Sequence, residues 1–352
     1  MTLRAVLATG IAVLLLAPSA RLGAQQGPPP RIQALHVRGN IYVLQGAGAN
    51  ITISVGKDGV LMVDTGQASM AEQVLAAIRR LQDQLDLRDP AAGWGAETRS
   101  SVAARGSEPP AKPIRYIVNT HAHPDHAGGN ETLRRAGVTF TGGNVAGNIA
   151  DAGEGAAILA HQKVYERLAR SVDGGKAAPP DAQPTDTYDS DTMKLSHFFN
   201  GEGVQLVHQP SAHTDGDSLT WFRGSDVIAV GDLYSTTSYP VIDVKQHGTI
   251  NGIVSGLNRI LDLSIAEFRT EGGTLVVPGH GRLSDSADVA YYRDMVTIVR
   301  DRVQAMIEKG MTLEQVRAAR PTADYDPRYG ATTGPWTTTM FIEAVYRTLD
   351  GK

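Results

Sequence analysis

Cysteine is absent from all 352 residues. That excludes disulfide bonds, thiolate metal ligands, a cysteine nucleophile and a lipid-modified N-terminal cysteine. A Gly-x-Ser-x-Gly turn is also missing, so no serine is raised on a strand-to-helix elbow for nucleophilic attack. Neither sign of charge dominates. The 33 Lys and Arg against 37 Asp and Glu give a net charge of −4 with no basic stripe, which argues against nucleic acid as a partner. The longest apolar run, Ala5 to Ala17, is interrupted by Thr9 and Gly10 and is short for a membrane span. No internal repeat recurs at a fixed period. What remains is 41% hydrophobic and 20% charged, an ordinary globular balance in a chain long enough for one large domain or two small ones.

The first 24 residues read as a secretory signal. Arg4 supplies the positive start, the run Ala5–Ala17 follows, and Pro18 to Ala24 is a small-residue exit with cleavage after Ala24 or Ala20. A retained anchor is the alternative. The expectation is an exported protein, periplasmic or secreted, mildly acidic and free of the membrane once cleaved. Gln25 to Arg31, with three prolines, reads as a leader.

Within this frame one stretch concentrates metal-binding chemistry: Asn119-Thr120-His121-Ala122-His123-Pro124-Asp125-His126-Ala127-Gly128-Gly129. His121, His123 and His126 offer imidazole nitrogens and Asp125 a carboxylate, a mixture suited to zinc or iron. The apolar run Ile114–Val118 before it reads as a buried strand. One tetrahedral ion cannot easily take all four groups from so tight a turn. Two ions, each completed from elsewhere in the chain, fit better. Three further turns carry one good ligand each at the end of an apolar run: Val204–His208 leads to His213, Val227–Val230 to Gly231-Asp232, and Thr274–Val277 to Pro278-Gly279-His280-Gly281. Strand ends hold such ligands rigidly, and small neighbours let backbone approach the metal.

His-x-His-x-Asp-His, a lone His, Gly-Asp and Pro-Gly-His-Gly, in that order over about residues 35–285, resemble the metallo-β-lactamase-fold hydrolase superfamily. The resemblance implies an αββα sandwich, two mixed β-sheets flanked by helices. Residues 25–352 are then a single domain with a C-terminal helical extension from about 286 to 352. It further implies that His121, His123 and His213 bind one zinc ion, that Asp125, His126 and His280 bind a second, and that Asp232 bridges both. Asp64 in Asp64-Thr65-Gly66 would support the metal loop, although capping the next helix is an equal alternative.

Two ions sharing a water drop its pKa to about 7 and give a metal-bridged hydroxide at neutral pH. The implied activity is cleavage of an ester, lactone, thioester or amide bond of a small molecule. Asp125 orients the attack, and Tyr234 reaches for the substrate oxygen. Lys245 and His247, on the next loop, are candidates for the same task, and for all three an ordinary exposed polar role is the alternative. Zinc β-lactamases of this superfamily generally carry Cys or Ser where this chain has Asp232. β-Lactam hydrolysis is therefore the alternative reading, and an iron-dependent oxidoreductase on the same scaffold a more distant one. No cofactor besides the metals is implied, and the oligomeric state is not encoded in any motif.

The periodicities predict strands at 41–44, 51–55 and 60–63, a helix over 71–85 with Val74, Ile78, Leu81 and Leu85 inward, and a helix over 129–136. Residues 86–113, containing Trp94, read as a surface insertion. A short strand is expected at 138–141, a helix over 155–170 and a loop over 171–188, which the resemblance implies would border the substrate pocket. Strands follow at 193–199, 204–208 and 218–222, placing His197 and His208 inside them. Helices are expected around 250–260, along 289–306, from Thr312 with capping-box spacing, and over 336–349.

Overall fold

The computed structural model describes residues 31–87, 111–138, 155–170, 176–264 and 272–350. The secretory signal, Trp94 and the greater part of the 86–113 insertion lie outside them. Seven strands, β1 (Gln33–Arg38), β2 (Ile41–Ala47), β3 (Ala49–Gly56), β4 (Gly59–Val63), β5 (Ile114–Val118), β6 (Ala157–His161) and β7 (Asp186–Tyr188), form one sheet in sequence order. It is antiparallel up to β4 and parallel from β4 to β7. The second sheet holds β8 (Thr192–Lys194), β9 (Val204–Gln209), β10 (Asp217–Phe222), β11 (Val227–Ala229), β12 (Leu275–Val277) and β13 (Ser284–Asp285) in the order β13-β12-β11-β10-β9-β8. Only its β11–β12 pair is parallel. Both sheets are mixed, as the fold reading expected.

The layering follows from alternation along each strand. In β4, Val60 and Met62 join Val74, Ile78 and Leu81 of helix α1 (Ala71–Gln84), while Leu61 and Val63 turn the other way. Leu85, expected on the same face, instead caps the helix where its backbone leaves the helical path, and it is exposed. There they meet Val204 and Leu206 of β9 and Val227 and Ala229 of β11 across the space between the sheets. Ile228 of β11 and Val207 of β9 face outward. They meet Ile253 and Leu257 of the helix at Ile250–Leu263, Val296 and Val299 of the one at Ser286–Glu308, and Phe341 of the one at Thr338–Asp350. The result is helix, sheet, sheet, helix. Burying each such aliphatic side chain is worth roughly 1.5–3 kcal/mol, so every layer contact is held by several of them. The remaining helices are α2 (Pro124–Ala127), α3 (Asn130–Arg135) and α4 (Gln162–Ala169) in the first half. The second half adds α5 (Ile250–Leu263), α6 (Ser286–Glu308), α7 (Leu313–Ala319), α8 (Asp326–Tyr329) and α9 (Thr338–Asp350). Thr312 and Gln315 form the expected capping box on α7. No helix among the described residues is long and apolar enough to cross a membrane.

Three expectations about local structure are corrected. The helix expected over 155–170 is instead β6 followed by α4. Ala157-Ile158-Leu159-Ala160 is buried on both faces, as a central parallel strand requires, and so short an apolar run fits either period. The loop expected over 171–188 contains β7, which closes the first sheet through β6; residues 171–175 lie outside the description. The strand expected over 193–199 shrinks to β8, and His197 falls beyond it. At the strand expected over 138–141, only Val138 is described, bridged to Gly155.

Candidate metal centre

The centre sits where the two sheets present strand ends to each other. β5 ends at Val118, and the chain then turns through His121 and His123 into α2, with Pro124 at its first position. Four orphan ligands on one turn need outside support, and the end of β4 provides it. Asp64, buried and in left-handed backbone (φ 64°), accepts from Thr120 N and Thr120 Oγ1, both at 2.8 Å, and lies 2.7 Å from His126 Nδ1. Thr65 adds hydrogen bonds from its N and Oγ1 to His126 O. Of the two roles weighed for Asp64, support of this loop is the one the hydrogen bonds describe.

The remaining candidates arrive from the second sheet. His213 follows β9 in a turn where Asp217 accepts from Thr214 N and Oγ1. Asp232 lies in the turn after β11 and His280 in the turn after β12. These two turns are laced together: Gly279 N donates to Gly231 O at 2.7 Å, and a Cβ on Gly279 would sit 2.0 Å from Asp232 Oδ1. Only glycine fits there. Asn50, from β3, donates from its side chain to Pro278 O and Gly281 O, clamping the His280 turn to the first sheet.

All seven side chains meet. One atom each from His121, His123, His213 and Asp232 lie within 4.8 Å of one another, and so do atoms from Asp125, His126 and His280. Asp232 stands between the groups. Its Oδ1 is 3.1 Å from His126 Nε2 and 3.3 Å from His280 Nε2, while its Oδ2 is 3.9 Å from His213 Nε2. Asp125 Oδ2 is 3.3 Å from His280 Nε2.

The imidazoles are oriented from behind. His121 Nδ1 meets Thr120 Oγ1 at 3.0 Å, His126 Nδ1 meets Asp64, and His213 Nδ1 donates to Val241 O at 2.8 Å, leaving each Nε2 to face the centre. His123 is reversed: its Nε2 meets Asp243 Oδ2 at 3.0 Å, with Gln246 Nε2 2.9 Å away, and its Nδ1 points at His213 Nε2. A ring fixed by its outer nitrogen offers the inner lone pair in one direction, the arrangement metal-binding histidines favour. His121 Nε2 is buried with no hydrogen-bond partner, while His126 Nε2 and Asp232 Oδ1 are in ion-pair contact with each other and Asp232 Oδ1 also with His280. A buried polar atom left unpaired is costly, and a cation would satisfy His121 Nε2 and take the place of the proton shared by the other two. The donor set therefore fits a pair of divalent ions.

Protonation agrees with this. Burial, reinforced by neighbouring His126, His213 and His123, pushes His121 well below the usual histidine range, keeping its lone pair free. For His126 burial acts downward, but Asp232 and Asp64 outweigh it and hold the ring well above that range. Asp232 mirrors it: burial opposes ionisation, yet His126 and His280 keep the carboxylate well below its ordinary range. Hydrogen bonds to Asp125 and Asp232 raise His280 to about 9. The protons on His126 and His280 are the ones a bound cation would displace, so loading the centre releases protons.

Not every candidate belongs here. Tyr234 turns away from the site. Its ring packs edge-on against Tyr292 in the core and its hydroxyl meets Ser284 Oγ at 3.2 Å, so it does not reach for substrate. His161 and His208 stack on each other at 3.6 Å outside the set of seven, His208 within its strand as expected. Lys245 lines a groove beside the centre, and His247 closes the short 3₁₀ turn Val244–Gln246 in left-handed backbone. Sequence reasoning missed Asp243, Gln246 and Asn50. None lies in a ligand-bearing motif, and each acts on a residue more than 100 positions away.

The comparisons with known proteins converge on one family. A family model described as the metallo-beta-lactamase superfamily matches residues 39–280. The metallo-beta-lactamase type 2 of Bacillus cereus is 22% identical over 185 residues, covering 53% of this chain and 59% of that protein. This chain thus spans under two thirds of that relative's length. A metallo-beta-lactamase from Pontibacter korlensis superposes with a TM-score of 0.51 at 14% identity, over 76% of this chain and 99% of that one. The inverting sec-alkylsulfatase from a Pseudomonas species superposes at 0.53 and 17% identity, over 90% of this chain and 50% of that one. At such identities these structures speak to the fold.

Proposed function

The chain belongs to the metallo-β-lactamase superfamily, and from that premise we propose that it is a dinuclear zinc hydrolase of a small-molecule ester, lactone, thioester or amide. The observation that carries this reading is Asp232, whose carboxylate stands within 4 Å of His126, His280 and His213 and so touches both ligand groups. His121, His123 and His213 would hold one ion and Asp125, His126 and His280 the other. Nitrogen and oxygen donors without sulfur suit zinc.

A bound pair of divalent ions supplies an acidified water and an electrophile for the substrate carbonyl. The chain's own contribution is position. Asp64, Thr120, Val241 and Asp243 fix the four rings from behind. Asp125, one-third exposed at the outer rim beside His280, is the carboxylate that would orient the attacking water. Tyr234, packed in the core, does not assist the leaving group. Asp232 also bears on substrate. Its carboxylate lowers the positive charge available to an anionic nitrogen leaving group, which penalises an opened β-lactam more than an ester or lactone, whose oxygen is readily protonated.

Steady-state kinetics of the zinc-loaded protein on simple esters, lactones, thioesters, amides and a cephalosporin test this reading. The expected result is ester or lactone turnover that chelation abolishes, with β-lactam hydrolysis at most a side activity. A cephalosporin kcat/KM near about 10⁶ M⁻¹s⁻¹, mid-range for enzymes, would overturn the role given to Asp232, and a single bound iron would move the chain to the oxidoreductase reading. We further propose export, on the strength of the first 24 residues; finding the full-length chain in the cytosolic fraction would count against it.

A further inference from the structure

Of the four rings held from behind, His123 alone is reversed, and its outer nitrogen rests on Asp243. Asp243 is itself gripped by one residue. Gln246 donates to both of its carboxylate oxygens, from the backbone N to Oδ1 at 3.1 Å and from Nε2 to Oδ2 at 2.7 Å. Gln246 stands between Lys245 and His247, both exposed, so its anchor comes from elsewhere in the fold. Its carbonyl oxygen accepts from Asp215 N at 2.9 Å and from Arg167 Nη2 at 3.2 Å. The same guanidinium nitrogen bonds to Asp215 Oδ1. The two side chains of this ion pair are only 14% and 17% exposed. Withdrawing two charges from water costs about what their attraction returns, so stability alone does not explain the pair. Arg167 lies on the last turn of α4, and α4 is seated against the Asp215–Gly216 turn. A Cβ on Gly216 would lie 3.1 Å from Val164 Cγ2. His161, at the N-terminus of α4, stacks on His208, whose Nε2 donates to Asp215 O at 2.9 Å.

We infer that Arg167 is a positioning residue of the metal centre. With Asp215 it clamps the Gln246 carbonyl, and through Gln246 and Asp243 it sets the direction of the His123 lone pair. This rests on the paired-metal reading above. A ring whose outer nitrogen is loose must be ordered when an ion binds, whereas a ring already fixed need not be. The clamp also predicts where its effect stops. His121, His126 and His213 are held by Thr120, Asp64 and Val241, and Arg167 bonds to none of these. Its loss should therefore reach only the ion that His123 would help to hold. A direct partner of a ligand is worth roughly 10–100-fold in metal affinity. Arg167 acts through two residues, so its share is smaller.

Zinc titration of the metal-depleted full chain against a chromogenic chelator tests this. Arg167→Met is expected to weaken one ion about five-fold, below the range for a direct partner, and to leave the other unchanged. Arg167→Lys, which keeps a charged donor on α4 and disturbs the fold least, should recover part of that loss. In an Asp243→Ala background the Arg167→Met effect should shrink toward unity, because the relay runs through Asp243. A loss that persists there undiminished, or that falls equally on both ions, is one of general structure and overturns the proposal. So does wild-type affinity in Arg167→Met. NMR of the metal-free protein gives a second readout. The His123 Nε2 proton should exchange with solvent faster in Arg167→Met than in wild type, and equal exchange contradicts the clamp. Neither readout needs turnover. If both behave as expected while no ester is cleaved, the hydrolase reading fails and the clamp stands. If esters are cleaved and Arg167→Met matches wild type in both, the reverse holds.

Discussion

The two halves of the molecule deliver ligands to the same centre in opposite ways. The first sheet contributes four groups from six consecutive residues, His121 to His126, on a turn with little structure of its own. The second sheet contributes three, His213, Asp232 and His280, each on a separate turn locked by its own strand pairing and close glycines. A dense turn cannot orient four side chains unaided, so the first half borrows rigidity from Asp64 and Thr65 on the neighbouring strand end. The second half distributes it. Damage should therefore spread in the first half and stay local in the second.

The largest effect is expected from Asp64→Ala. It removes three contacts at once, leaving Thr120 N and Oγ1 and His126 Nδ1 without a buried acceptor. Each lost buried partner costs about 1–3 kcal/mol. Zinc affinity should fall about 100-fold, the upper end for loss of a ligand-orienting partner, and thermal stability should drop with it. Retention of both ions at wild-type affinity would break the comparison. Asp232→Ala is expected to be narrower: the folded protein keeps one ion and loses the other, because two cations no longer share an anionic ligand. Equal metal content in this variant and wild type would remove Asp232 from its bridging role. Asp243→Ala frees the outer nitrogen of His123 and releases Gln246, but touches no other ring, so we expect about a ten-fold loss in affinity for one ion, read by competition with a chromogenic chelator. A loss at both sites would show that the 241–246 segment supports more than the one ion that His123 and His213 would hold. Tyr234→Phe is the smallest: it forfeits the hydroxyl contact to Ser284, about 1 kcal/mol of stability in a melting experiment, with metal content unchanged.

The contrast between the halves also explains what could be read from the sequence. All seven converging side chains stand at the ends of apolar runs marked by glycine or proline, so each announced itself locally. Their supports did not. Asp243 and Gln246 sit in an unremarkable segment and matter because folding brings them to His123, 120 and 123 positions earlier. Asn50 is one polar residue in a strand until the Pro278–Gly281 turn lands on it. Tyr234 was misjudged because nearness to Asp232 in sequence says nothing of direction: after the Gly231–Leu233 turn the backbone is extended and carries its ring into the core. The 155–170 segment failed for a different reason. Ile158, His161, Tyr165 and Leu168 fit a helical stripe, but the demand for a buried strand between β5 and β7 overrode it.

The central claim is that the two halves together build a paired metal site out of nitrogen and oxygen ligands. Elemental analysis of the purified protein, with X-ray absorption at the zinc edge, tests it most directly. The account predicts close to two zinc ions per chain, coordinated by imidazole and carboxylate with a zinc–zinc distance of about 3.5–4 Å. One ion per chain, or two with no metal–metal scattering, would contradict it.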